Sequence, residues 1–302
     1  MAIYDYAEKF NRKLQEKYAV ELKSDFLTHS NLDIQFIDAQ TIKVPDLVVS
    51  GYHDHTRGGA FNTGKAKNSW TPYKLNWDRD IEYILDPMDI DETNLTVSMA
   101  NFQNRFEEEV AIPEKDCYRF SKLYQEAKTK HAKIDNTPLT TANILAKFDE
   151  YMEDMDEKGV KDNRKLVVTN PVYTLLKQAE GIQRTLEATS TKKVDRRIYS
   201  LDDVEIIKVP SIRLQTAYED KSDSVTGGQV YAASASAKQI NMMLIDPSAV
   251  ICRDKYAYIK LFTPGTDSRT ADNYIYQNRY YSDLFLIEAK NAGVIINAEA
   301  EA

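Results

Sequence analysis

Cysteine is scarce in this chain: two residues in 302, Cys117 and Cys252. They lie far apart without flanking partners, which excludes a disulfide framework or a cysteine-based zinc site and leaves buried thiols as the expectation. Long apolar runs are missing as well. None approaches the roughly 18 residues that a helix needs to cross a bilayer, so no membrane partner is expected. Met1 to Phe10 mixes acidic, basic and aromatic residues around no apolar signal core, which makes the cytosol the expected place of synthesis. There is no basic surplus: 39 Lys and Arg stand against 47 Asp and Glu, a net charge of −8. That balance argues against a dedicated nucleic-acid binder, whose affinity rests on attraction to phosphate. No internal repeat is visible, and no G-x-S-x-G elbow or sequence-adjacent Cys/His pair marks a nucleophile.

What the chain does have is an irregular succession of helix and strand patterns. Tyr4 to Phe26 carries Tyr6, Phe10, Leu14, Tyr18 and Leu22 on one stripe of a polar helix that needs a partner surface. Ile34 to Val49 is β-branched, with Pro45 marking an edge strand or a bulge. From Tyr73 to Tyr83 apolar and polar residues alternate, so one strand with one buried face is expected there; only Arg79 breaks the apolar series. Between these strands, Ser50 to Thr71 is polar and glycine-rich, the composition of a functional loop. Leu95, Met99, Phe102, Phe106 and Val110 keep a helical period after the acidic start Asp86 to Glu92. Pro113 is expected to interrupt that helix, with a second one running to about His131.

Thr140 to Met155 reads as a helix, Lys165 to Thr169 as a short buried strand, and Asn170 as the cap of a further helix with Pro171 in its first turn. Val204 to Val209, Met242 to Ile245, Tyr256 to Phe262, Leu284 to Ile287 and Gly293 to Asn297 are strand-like, while Gln215 to Lys238 reads as a surface loop. Helices and strands without regular alternation indicate an α+β fold.

Several motifs suggest chemistry and fail on context. Gly59 to Lys65 fits G-x-x-x-x-G-K, but Ala66 stands where a magnesium-binding hydroxyl belongs, and Trp70 and Pro72 come next instead of a helix. His53 and His55 flank Asp54 without a third ligand. Asp86, Asp89, Asp91 and Glu92 lack the central glycine and bidentate glutamate of a calcium loop. Glu107 to Glu109 and Glu150 to Asp162 read as solvated helix faces. No catalytic, cofactor-binding or metal-binding residue is therefore assigned, and no enzyme activity is expected.

The stretch Leu166-Val-Val-Thr-Asn-Pro171 within Thr140 to Gln178 resembles the A-domain of tailed-bacteriophage major capsid proteins of the Hong Kong 97 type. Glu107-Glu-Glu-Val-Ala-Ile-Pro-Glu-Lys-Asp-Cys-Tyr-Arg-Phe120 is similar to the lead-in to that family's spine helix, and Gln277 to Asn297 to its returning strands. The resemblance implies an N-terminal arm (1–38), an E-loop hairpin (39–80), a P-domain with the spine helix (81–136 and 249–302) and an A-domain (137–248). It implies a structural subunit that assembles with itself into hexamers and pentamers. The resulting icosahedral shell would be built in the host bacterial cytoplasm and enclose phage double-stranded DNA in the virion. A separate scaffold protein and a portal are the further partners implied. Lys65 and Lys67 lie in the loop that some relatives cross-link, but no partner asparagine is matched, so no cross-link is expected. The alternative is an encapsulin-like shell around protein cargo.

Overall fold

A computed structural model describes residues 22–28, 35–36, 41–55, 57, 63–64, 66–88, 103–104, 106–179, 187–188, 194–195, 198–221, 231–266 and 272–300. The helix readings over 4–21 and over Leu95, Met99 and Phe102 lie outside them. In chain order come β1 (Gln35–Phe36), β2 (Thr41–Val49), β3 (Ala66–Lys74), β4 (Trp77–Leu85), a π-helical turn (Glu107–Ala111) and helix α1 (Ile112–Thr129). Next are β5 (Lys133–Asp135), α2 (Ile144–Glu157), β6 (Lys165–Thr169), α3 (Asn170–Gln178), β7 (Glu187–Ala188), β8 (Val194–Asp195) and β9 (Ser200–Leu201). The chain ends with β10 (Val204–Val209), β11 (Tyr218–Asp220), β12 (Tyr231–Ala233), β13 (Ile240–Ile245), β14 (Val250–Phe262), β15 (Tyr274–Leu286) and β16 (Val294–Ala298).

The core is built on a six-stranded mixed sheet in the order β5-β16-β13-β6-β10-β9. Its central strands are apolar at successive positions because both faces are covered. Val167, Met243, Ile245 and Ile296 point to one side, against Phe120, Leu123 and Ala127 of α1. Leu166, Val168, Met242, Leu244 and Ile295 point to the other, against Phe148 and Met155 of α2 and Val172 and Leu176 of α3. Full burial of each such side chain contributes about 1.5–3 kcal/mol.

Helix ends obey local chemistry. Gly159 takes φ +69°, and the N–H groups of Val160 and Gly159 reach back to the carbonyls of Met155 and Asp156 at 3.0 and 2.9 Å. This is the Schellman closure, which requires a left-handed residue. The cap of α3 is Thr169 rather than Asn170: Thr169 is extended and its hydroxyl accepts weakly from Val172 N–H at 3.5 Å. The strand's last residue thus opens the helix, and Asn170 is already inside it.

Pro113 does not interrupt its helix. Ile112 is helical at φ −65°, ψ −50°, and its N–H bonds to the Glu107 carbonyl five residues back. The wider π turn takes up the register where proline supplies no donor.

The expected strand Tyr73 to Tyr83 is two strands in two sheets. β3 pairs with β2 in the sheet β1-β2-β3, while β4 joins β14-β15-β4. The switch falls at Leu75–Asn76, where Tyr281 OH donates to Leu75 O at 2.8 Å and Asn76 N–H donates to Asp283 Oδ2 at 2.9 Å. Tyr256 to Phe262 and Leu284 to Leu286 belong to the longer strands β14 and β15, paired antiparallel from Val250↔Leu286 to Phe262↔Ile275, and Ile287 lies just past the end of β15. The expected loop Gln215 to Lys238 carries a small pair, β11 with β12. The Pro247–Ala249 turn spans positions 248 and 249, and β5 and β16 complete the sheet of segment 137–248.

Candidate functional site

The motifs set aside on sequence gather nothing around them. Residues 59–62 and Lys65 of the phosphate-loop pattern lie outside the described residues, and the next element is strand β3, not a helix with its N-terminus toward a ligand. His53, Asp54 and His55 are exposed in an irregular stretch. Asp86 accepts the N–H of Met88 at 2.9 Å, a local turn contact; Asp89, Asp91 and Glu92 lie outside the described residues. Among the described residues, no three His, Cys, Asp or Glu side chains converge as a metal site. Cys117 and Cys252 are buried thiols, and burial raises the Cys252 thiol pKa.

What the fold does assemble is a polar hub around α1. Asp116 is fully buried and accepts from Ser24 Oγ at 2.8 Å, from Ser24 N–H at 3.1 Å and from Arg213 Nη1 at 3.1 Å. Arg119, one turn on, donates to Ser24 Oγ at 3.2 Å and to Asp254 Oδ1 at 3.3 Å. Lys115 reaches Asp254 Oδ2 at 3.1 Å. Burial, then the neighbouring Arg119, brings the Lys115 ammonium down to about 8. Burial opposes ionisation of Asp254, yet Lys115 and Arg119 together hold it below the usual carboxylate range. A buried network of this kind is costly to break, because the remaining partners keep their desolvation penalty. It ties α1 to the segment 22–28, to Arg213 and to β14.

A second set of contacts fixes the base of the β2–β3 hairpin to the same helix. The Trp77 and Tyr118 rings stack with centroids 3.8 Å apart and planes within 6°. Tyr118 OH donates to Asp283 Oδ1 at 2.7 Å, the same carboxylate that holds Asn76. Arg79, the apparent break in the apolar series, faces inward and bridges Glu114 and Asp220. It sits in a groove of about 560 Å³ between β4 and the start of α1, which Asp78, Asp80, Glu114 and Asp220 also line.

Glu107 does not belong to a solvated face. It is 5% exposed and accepts from Tyr276 OH at 3.2 Å and Asn278 Nδ2 at 2.9 Å. Burial raises its carboxyl to about 7, against the pull of those donors and of Lys115. Glu108 and Glu109 are the exposed members of that run. No sequence signal separates the three.

The hairpin itself is an arm. β2 and β3 pair without a break from Thr41↔Lys74 to Val49↔Ala66, a length of about 30 Å at 3.4 Å per residue. Its base is anchored by Ile42 and Val44 against Leu75, Ile251 and Phe285. Farther out, Trp70 is 43% exposed, Val49 65%, and Tyr52 fully.

No protein-family model and no curated protein matches the sequence. Solved structures do. The chain superposes on the structure titled "Asymmetric unit of bacteriophage PhiM1 mature capsid" with a TM-score of 0.59 and 10% identity, covering 87% of this chain and 83% of that one. "Capsid structure of the Cyanophage P-SCSP1u" matches with a TM-score of 0.57 and 13% identity, over 91% and 87%. A structure from Mycobacterium phage Che8 matches with a TM-score of 0.57 and 12% identity, over 86% and 85%. At these identities the likeness establishes the fold: α+β, and that of the Hong Kong 97-type capsid subunits of tailed phages.

Proposed function

We propose that this chain is a major capsid protein, a structural subunit that assembles with copies of itself into the icosahedral head shell around phage double-stranded DNA. The observation that carries the reading is the arm, set on a capsid-type body. A ribbon of two long strands, joined by the two-residue β1 near its base, is marginal in water, and this one presents Trp70 and Val49 to solvent. Such a surface needs cover that the described body does not provide, and other copies are the natural source. Function is then mechanical. The segment 1–38 is the N-terminal arm, 39–80 the E-loop, 81–136 with 249–302 the P-domain and 137–248 the A-domain, with α1 as the spine.

Hexamers and pentamers are the closed rings such subunits form, a separate scaffold and a portal complete the head, and assembly takes place in the host cytoplasm before the protein resides in the virion. The acidic balance of the chain weakens adhesion to the packaged duplex. Electron microscopy of the purified protein tests the reading: closed shells are expected, with nucleic acid inside particles taken from infected cells. Monomers at every concentration would overturn it. Shells filled with an enzyme and free of nucleic acid would replace it with a protein-cargo compartment.

A further inference from the structure

The two larger sheets of the body are joined along one line. The chain crosses from β13 of the six-stranded sheet to β14 of the three-stranded one through the turn Pro247–Ala249, and it returns from β15 to β16 through Glu288–Gly293. The crossings lie side by side: Ile287 N–H bonds to Ala249 O at 2.9 Å, and Asp246 N–H to Gly293 O at 2.8 Å. Two adjacent crossings make a hinge line. The angle between the sheets is then set by whatever ties them together away from it.

Helix α1 is one tie. Phe120, Leu123 and Ala127 pack on the six-stranded sheet. Nearer its start, the Tyr118 ring stacks on Trp77 of β4, and Lys115 Nζ lies 4.1 Å from the centre of the Tyr280 ring. Beyond these contacts the packing gives way to the groove of about 560 Å³ beside β4.

A second tie crosses that groove. The segment 211–221 leaves the six-stranded sheet after β10, and its root is knotted there. Gln239 Nε2 donates to Leu214 O at 2.7 Å, and Gln215 Nε2 to Gln239 Oε1 at 2.7 Å. From the root the segment follows one stripe of α1. Ser121 Oγ donates to Thr216 O at 3.0 Å, and Cys117 Sγ to Ile212 O at 3.9 Å. Glu114 continues the stripe, since positions 114, 117 and 121 share a helix face. β12 backs the segment, with the Tyr231 ring stacked on Tyr218 at 5.4 Å. At the far end Arg79 of β4 takes Glu114 Oε1 at 2.8 Å and Asp220 Oδ2 together. One guanidinium thus fastens a segment rooted in one sheet to a strand of the other.

The fastening point has leverage. Arg79 stands opposite Tyr280, six residues along β15 from Leu286 at the hinge, which is about 20 Å at 3.4 Å per residue. We propose that Arg79 is the clasp of a brace between the two sheets, and that this brace fixes their angle and with it the curvature that each subunit imposes on the shell. The role rests on the self-assembly reading and names a residue that shapes the product. The Arg79 and Asp220 side chains are 30% and 38% exposed, so water can take up either charge when the clasp parts.

Amide hydrogen exchange on free subunits reads the clasp. Asp220→Asn or Arg79→Gln is expected to speed exchange of the amides that pair β11 with β12 by about tenfold or more, with those of β6 and β13 unchanged, because local opening is seen only where contacts are lost. The double variant should exchange no faster than Arg79→Gln alone, since both changes remove one interaction. Asp220→Glu keeps the charge and should stay within about threefold of the native chain. Electron microscopy of assembled particles reads the angle. The native chain and Asp220→Glu should each give one diameter, and Asp220→Asn a spread of diameters. Asp220 lies at the surface, so unchanged thermal melting of Asp220→Asn is the folding control, and the test stands even where Arg79→Gln fails to fold. Unchanged exchange, or effects that add in the double variant, would overturn the clasp. Loosened strands in particles of native diameter would overturn its control of curvature. A native chain that never assembles would end the shell reading itself and leave the exchange rates to judge the clasp.

Discussion

The arm and the body are both made of sheet, and they solve opposite problems. In the body, β6 and β13 are apolar on both faces, and α1, α2 and α3 cover them from the same chain. In the arm, β2 and β3 are anchored near the base, and among the described side chains farther out Trp70 and Val49 meet water. The body is finished as a single molecule. The arm is a surface awaiting a second one. Stability and assembly are thereby separated in sequence, and substitutions can move one without the other.

The sharpest break in that separation is deletion of residues 51–64. Shell formation should be lost, while the urea midpoint of the subunit stays put, since surface loops contribute little to folding. Loss of the folded subunit would show that the arm tip belongs to the body after all. Asp116→Ala acts on the other side. It removes the acceptor shared by Ser24 and Arg213 from a buried network and should cost about 3 kcal/mol in chemical denaturation, with assembly failing only because the subunit unfolds.

Glu107 gives an effect of similar size that depends on pH. Its folded carboxyl titrates at about 7, above the ordinary unfolded value, so between those values the folded state binds more protons. Stability attributable to this group is complete below about pH 4.5 and declines as pH rises through 7, a total of about 3 kcal/mol at 1.36 kcal/mol per unit. Glu107→Gln should therefore stabilise the subunit at pH 8 and change little at pH 4.5. Equal stability of the two proteins across that range would refute the assignment. Smallest on folding is Trp70→Ser, expected within about 0.5 kcal/mol of native in denaturation yet strongly impaired in assembly.

Much of the body is legible in the chain itself. Leu166 to Val168 and Met242 to Ile245 are apolar without a break, and only a strand covered on both sides is written that way. What stays hidden has a common cause: partners distant in sequence. The change of sheet at Leu75 is silent because Tyr73, Leu75, Trp77, Ile81 and Tyr83 keep one parity through it. Glu107 differs from Glu108 and Glu109 only in meeting Tyr276 and Asn278, which stand 169 and 171 residues away. Pro113 misleads because a wider helical turn absorbs its missing donor. The hub of Ser24, Asp116, Arg119 and Asp254 has no signal beyond charge on a helix. Arg79 alone announces itself, as the odd residue in an apolar series.

The unbroken backbone from β3 into β4 has a mechanical consequence. Tension applied at the far end of the ribbon passes through Leu75 and Asn76 with no slack loop between, and arrives at the Trp77–Tyr118 stack and the Asp283 carboxylate. A neighbour that tugs on this chain is pulling directly on α1.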